Sequence, residues 1–226
     1  MLFYMSMEHW RLGQEAKGNA AAVKYAELGL ELFGDVPLPS HETTPVEVKR
    51  FSPEAREKLE KAGYLIDQIG GNSIKSLRDN GRRFWSTWHN SYPDLEALTS
   101  SYTEVAINPD QLFLPDSNSK TLSQQEAMVA KFSKELAKKI PGVQAIIGEM
   151  PDYVELAFNH QAKTGDYLFG QKYDYNYART KTPTSGSFVA DVGYFRSDDG
   201  LRVDDWHADR GLSDVFAAPL VVPSGK

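Results

Sequence analysis

The stretch RSDDGLRVDDWHADRG brings Asp198, Asp199, Asp204, Asp205, His207 and Asp209 close together in sequence. Carboxylates and an imidazole together bind Mn²⁺, Zn²⁺ or Fe²⁺, which points to a metal-dependent hydrolase centred on His207. The DDG turn also suits Ca²⁺, although the late Glu of an EF-hand loop is missing. The plainer alternative is a set of polar loop residues, with Asp favoured by turns. The other histidines, His9, His41, His89 and His160, have no metal-ligand spacing. No HExxH, GxSxG, Walker or GxGxxG pattern occurs. Glu149 and Glu155, read as part of a hairpin in GEMPDYVEL, are either an acid pair or two exposed strand residues. In FWSTWHN, Trp85, Trp88 and His89 suggest a sugar-stacking surface or, at helical spacing, core and helix-end residues. Arg78, Arg82 and Arg83 form either a solvated helix face or a site for an acidic partner.

A second signal in the same region is compositional. Lys, Glu, Gln and Met number 43 in the 226 residues, yet none occurs in the 44 residues between Lys181 and Lys226. At the chain average about eight would be expected there. Charge is not what is missing, because the stretch holds seven Asp together with Arg196, Arg202 and Arg210. Exposed loops ordinarily accept Lys and Gln, so folding alone does not produce this gap. Randomising the adenines of AAY codons does. Such codons can become Asp, Asn, Ser, Tyr, His, Arg, Gly, Leu, Val, Phe or Ala, but never Lys, Glu, Gln, Met or Trp.

On GLRVDDWHADRGLSDVFAAPLVVP and the preceding VADVGYFRSDD, the chain resembles the variable target proteins of diversity-generating retroelements. That resemblance implies a C-type-lectin-like end in which variable side chains alternate with a fixed framework. The framework would include Trp206, Leu201 and Val203, with Gly200 and the tail Ala217–Val222, and AAPLVVP as the closing strand. The displayed, variable positions would be Tyr194, Arg196, Ser197, Asp198, Asp199, Arg202, Asp204, Asp205, His207, Asp209, Arg210, Ser213 and Asp214. It implies a non-enzymatic, ligand-binding protein with a hypervariable surface for protein–protein interaction. The partner would be a macromolecule, best read as a protein. No cofactor, metal or catalytic residue is expected.

These residues need elements to hold them. Glu8–Phe33 reads as an amphipathic helix able to support self-association, followed by the proline-bearing linker DVPLPSHETTPVEVKR. Ser52 is a predicted N-cap with Pro53 at the first helical position. A helix is expected over Ser73–Trp85, then a strand at Glu104–Asn108. A longer helix follows, begun by a Ser123/Glu126 capping box and ended at Pro141–Gly142. Val143–Ile147 and Tyr153–Phe158 read as strands joined by a turn at Pro151. Beyond Gly165, YLFG, YDYNYART, SFVADVGYF, GLRVDD and VFAAPLVVP read as short strands between long loops. The expected fold is α+β: a helical N-terminal region, then a C-type-lectin-like domain of short strands and long loops. The division is 1–50 for the helix and linker and 51–226 for the domain, with a variable segment at about 186–216.

The absence of cysteine excludes disulfide scaffolds, Cys-ligated zinc and thiol catalysis. A net charge of −6 disfavours generic attraction to nucleic acid. No apolar run is long enough for a membrane span, so no membrane insertion is expected. The short apolar start is not a signal peptide, which makes the cytoplasm the default and leaves surface or virion display open.

Overall fold

In the computed structural model, which describes residues 50–85 and 93–224, two four-stranded sheets are built from one chain that returns to its first sheet at the end. The described residues all belong to the unit spanning 48–226. The predicted helix 8–33 and its linker lie outside them.

Helix α1 (Pro53–Lys61) starts as its sequence dictates: the Ser52 side chain accepts the Ala55 N–H and Pro53 fills the first turn. Ala55 and Leu59, four residues apart, bury one face against β1 (Leu65–Gln68). Helix α2 (Ile74–Asp79) is capped by Ser73 and stops well short of Trp85. The basic cluster is therefore not a row along one helix. Arg78 pairs bidentately with Glu96 of α3 (Pro93–Ala97) at 2.6 and 2.7 Å, and Arg82 stacks over Phe158.

Strand β2 (Glu104–Ile107) is buried throughout and pairs antiparallel with β1. A 3₁₀ turn at Pro109–Gln111 leads on to α4 (Leu122–Lys139). Its capping box is Thr121/Gln124, two residues before the Ser123/Glu126 box expected. Both pairs fit the S/T-x-x-E/Q pattern, and the Thr121 box wins by beginning the helix earlier. Strand β3 (Val143–Ile147) follows.

Tyr153–Phe158 is not a strand. It lies inside α5 (Met150–Thr164), and Pro151 stands in the helix's first turn rather than in a hairpin. All residues from Met150 to Phe158 are buried, so burial carries no helical period, and a short apolar run reads equally well as strand. Glu149 and Glu155 are consequently not exposed hairpin residues. Glu155 accepts the Gly70 N–H and the Asn72 amide, while Glu149 accepts the Thr182 hydroxyl.

The last third is the predicted strand–loop region. It forms β4 (Tyr177–Pro183), β5 (Phe188–Arg196), β6 (Gly200–His207), β7 (Val215–Phe216) and β8 (Pro219–Pro223). YLFG is loop. The second sheet runs β6-β5-β4-β7, antiparallel except for the parallel β4–β7 pair. The first runs β1-β2-β8-β3, so the chain's last strand lies inside it, antiparallel to both neighbours and fully buried. The architecture is mixed α+β, with five α-helices among the described residues and one sheet curled into a half-barrel.

Helix α5 packs against β4 and β5, and its first turn also joins the two sheets. Tyr153 takes the Gly148 N–H and donates to the Ala218 carbonyl, while Gly148 in turn accepts the Lys181 N–H. Asp152 sits in this joint, wholly buried. Burial pushes its carboxyl up to about 6, helped by the charges of Glu149 and Glu155 and opposed by Ser100 and the Glu149 N–H. Its unfolded value is 3.8, so the folded state holds the proton more tightly. Stability is then full below pH ~4 and is lost as the pH rises through 6, by up to about 3 kcal/mol. Asp152→Asn should therefore stabilise the chain by as much as about 3 kcal/mol at pH 8 and by little at pH 4. Urea unfolding at the two pH values reads this. An equal effect at both would contradict it.

Candidate ligand-binding face

Strand β6 alternates. Leu201 and Val203 are fully buried in the core, with Phe158 and Phe195, while Arg202 and Asp204 point to the opposite face of the sheet. Across the sheet Arg202 stands opposite Gly193 and Tyr177, and Asp204 opposite Asp191 and Arg179. A bulge interrupts β5 between Gly193 and Phe195, and its extra residue is Tyr194 at φ 47°. Gly193 is required there: a Cβ would overlap the Asn176 carbonyl oxygen and lie 2.7 Å from the Tyr177 Cα.

The bulge creates a continuous run of aromatic and arginine side chains. Tyr194 stacks on Tyr175 at 4.9 Å, and Arg196 lies over both rings at 4.8 and 5.4 Å. Tyr194 and Tyr177 share one apolar cluster. Arg202 lies over Trp85 at 4.1 Å and over Tyr177 at 5.8 Å. Each arginine is held by a carboxylate, Arg196 by Asp174 at 2.5 Å and Arg202 by Asp204 at 2.6 Å. Trp85 is 46% exposed and Tyr175 59% exposed, so the run ends in solvent on both sides. Tyr175 also has positive φ, at 60°. Two strained aromatic residues in contact are backbone cost retained for side-chain placement.

Beneath this run lies a buried charge. Arg179 has no exposed surface, and its guanidinium donates to the carbonyls of His207 at 2.7 Å, Arg210 at 3.1 Å and Lys120 at 3.5 Å. It thereby ties the loop after β6 to the middle of the sheet. Asp191 is its neighbour across β5. Burial drives the Asp191 carboxyl well up from its usual range, Asp204, Asp205 and Asp214 add to this, and only Arg179 opposes it. Asp191 Oδ1, Asp214 Oδ1, Trp206 Nε1 and Arg179 Nε are buried without hydrogen-bond partners.

The remaining sequence-predicted positions fall around this face. Ser197 and Asp198 are exposed in the β5–β6 turn beside the half-buried Asp199. Asp209, Arg210 and Ser213 are exposed in the loop that Arg179 ties down. Asp214 is half-buried and its carbonyl accepts the Tyr177 N–H. Asp205 accepts the Thr184 hydroxyl, and the His207 ring stacks on Phe188 at 3.9 Å. Only Tyr194 among the thirteen is buried. Trp206, expected as framework, is half-buried. Among the described residues no three His, Asp or Glu side chains are placed to hold a metal ion. Trp88 and His89 lie outside the described residues.

Sequence reasoning missed Tyr175, Tyr177, Asp174, Arg179 and Asp191 as site residues, and read Trp85 either as part of a sugar-stacking surface or as a core or helix-end residue. The first four precede the depleted stretch. Their signal was the tyrosine alternation of YDYNYART, which puts Tyr175, Tyr177 and Arg179 on one side of an extended strand. Compared with protein-family models, curated proteins and solved structures, the chain matches none.

Arg179→Met should cost about 3–5 kcal/mol, because three carbonyls lose their donor. Asp191→Asn should stay within about 1 kcal/mol of the parent at pH 4 and be the more stable protein at pH 8. The folded state holds the carboxyl proton more tightly than the unfolded chain does, and the stability this gives is lost as the pH rises. Chemical denaturation of both variants tests this pair, and a large loss in Asp191→Asn at pH 4 would refute the assignment.

Proposed function

We propose that this chain is a non-enzymatic binding protein. The outer face of its second sheet, with the adjoining loops, takes a macromolecular ligand, and its C-terminal segment is diversified by a retroelement. The reading rests on one observation: in the stretch without Lys, Glu, Gln or Met, the residues assigned as displayed lie outside the core, while Leu201 and Val203 are wholly inside it. Tyr194 is the exception: it is buried in a small cluster with Tyr177, Val215 and Leu212, apart from the two larger cores.

The chemistry of the face suits binding. Tyrosine, tryptophan and arginine carry most of the energy of protein interfaces. Here the rings and guanidinia are already stacked and paired, so little side-chain freedom is lost when a partner arrives. Exposed loop residues contribute contact without carrying the fold. A protein partner fits this mixture of rings and paired charges, and no catalytic group or cofactor is required. The C-type-lectin-like end is part of the same proposal, with β8 as the closing strand.

A display library tests it. Randomising Asp198, Asp209, Arg210 and Ser213 together should leave most clones as resistant to protease as the parent, each change costing no more than about 0.5 kcal/mol. Leu201→Ala in the same format should lose about 2–5 kcal/mol. If most randomised clones unfold, these side chains are structural and the displayed-surface reading fails.

A further inference from the structure

Away from the sheet face, α1 and α4 enclose a groove of about 570 Å³, a volume within the range of small-molecule sites. Its floor is apolar. Phe132 and Leu136 come from one face of α4, Ile140 from its end, and Tyr64 from the segment after α1. Phe132 and Tyr64 are half-buried against the core of the first sheet, so one side of each ring stays open to the groove. Asn108 also lines it, but its side chain is already engaged with the Ala62 carbonyl and the N–H groups of Asp110 and Gln111.

The lip is cationic. Lys58 and Lys61 stand on the last turns of α1 and Lys139 on the last turn of α4. They offset the carbonyl ends of the two helices. Glu135 is the lining carboxylate, and Lys138 holds it at 2.7 Å. Lys61 is paired with Glu57 and Glu135 with Lys138, so the positive opening above the apolar floor is made by Lys58 and Lys139, in a chain whose net charge is −6. An apolar tail with one anionic head complements that arrangement; a neutral apolar molecule uses the floor alone.

We propose that this groove binds a monomeric fatty carboxylate, its tail on Phe132, Leu136, Ile140 and Tyr64 and its head between Lys58 and Lys139. The site is separate from the sheet face and stands or falls without it. Calorimetric titration of the whole chain with decanoate, below its micelle concentration, should show saturable binding at one molecule per chain. Decanol should bind at least about tenfold more weakly, and raising the salt should weaken decanoate. Lys58→Gln with Lys139→Gln, both exposed positions, should reduce decanoate affinity about tenfold while thermal unfolding stays cooperative and falls by only a few degrees. Three results would overturn the proposal: no saturable decanoate binding, equal affinity for decanol, or indifference to the double substitution. Binding to phosphatidylglycerol vesicles without binding of monomeric decanoate would also overturn it, and would mark the lysines as a lipid-surface contact instead.

Discussion

A guanidinium with no access to water ties two loops to the middle of the second sheet. Arg179 donates to the carbonyls of His207 and Arg210, at the end of β6 and in the loop after it, and of Lys120, just before α4. A buried cation is costly unless its donors are taken up, and here three backbone carbonyls take them, with Asp191 beside it on the neighbouring strand. The loop after β6 has no regular structure of its own, so its course is set by that one side chain and by backbone bonds such as Leu122 N–H to the Ala208 carbonyl. Because the anchor engages backbone carbonyls and not side chains, the residues at 207 and 210 are free in identity as far as this tie is concerned. That is the physical condition a variable surface needs.

The face above the anchor follows from a second local constraint. Gly193 lets β4 approach more closely than any side chain allows, and the bulge then turns Tyr194 out at a backbone angle that L residues seldom adopt. Tyr175, Tyr194 and Arg196 stack as a result, and Trp85, Arg202 and Tyr177 continue the run. The core side of the same strands is ordinary: Ala178, Ala190, Val192 and Val203 pack under α5. Alternation thus puts the α5-facing core on one side of the sheet and the run of rings and arginines on the other.

Much of the scaffold was legible because its signals are local. Ser52–Pro53 and Pro141–Gly142 mark helix ends by cap and breaker chemistry, and the strand-forming pieces of the last third, YLFG excepted, fall where their residues say. What failed needed tertiary context. Helix α5 hides its period because its first nine residues are buried on every side. Helix α2 is an exception, ended at Asp79 by a local signal: Gly81 stands at φ 82°, the Gly81 and Arg82 N–H groups close back on the Arg78 and Leu77 carbonyls, and only then do Arg83 and Trp85 make backbone bonds to Leu201. The displayed positions were read from missing residue types, which identify a stretch of chain but not the partners that the fold brings to it. Tyr175, Tyr177 and Trp85 come from outside that stretch, and only the sheet register and the bridge at Phe84 bring them to Arg202 and Tyr194.

In a diversified binding protein, residues outside the core in the last quarter vary while their framework does not. Deep sequencing of this gene across its source population measures that directly. Substitutions should concentrate at codons such as those of Arg202, Asp204, Asp205, His207, Asp209 and Arg210, confined to adenines of a neighbouring template copy, with Leu201, Val203 and Trp206 constant. A uniform sequence at those codons, or substitutions spread evenly over framework and surface, would contradict it.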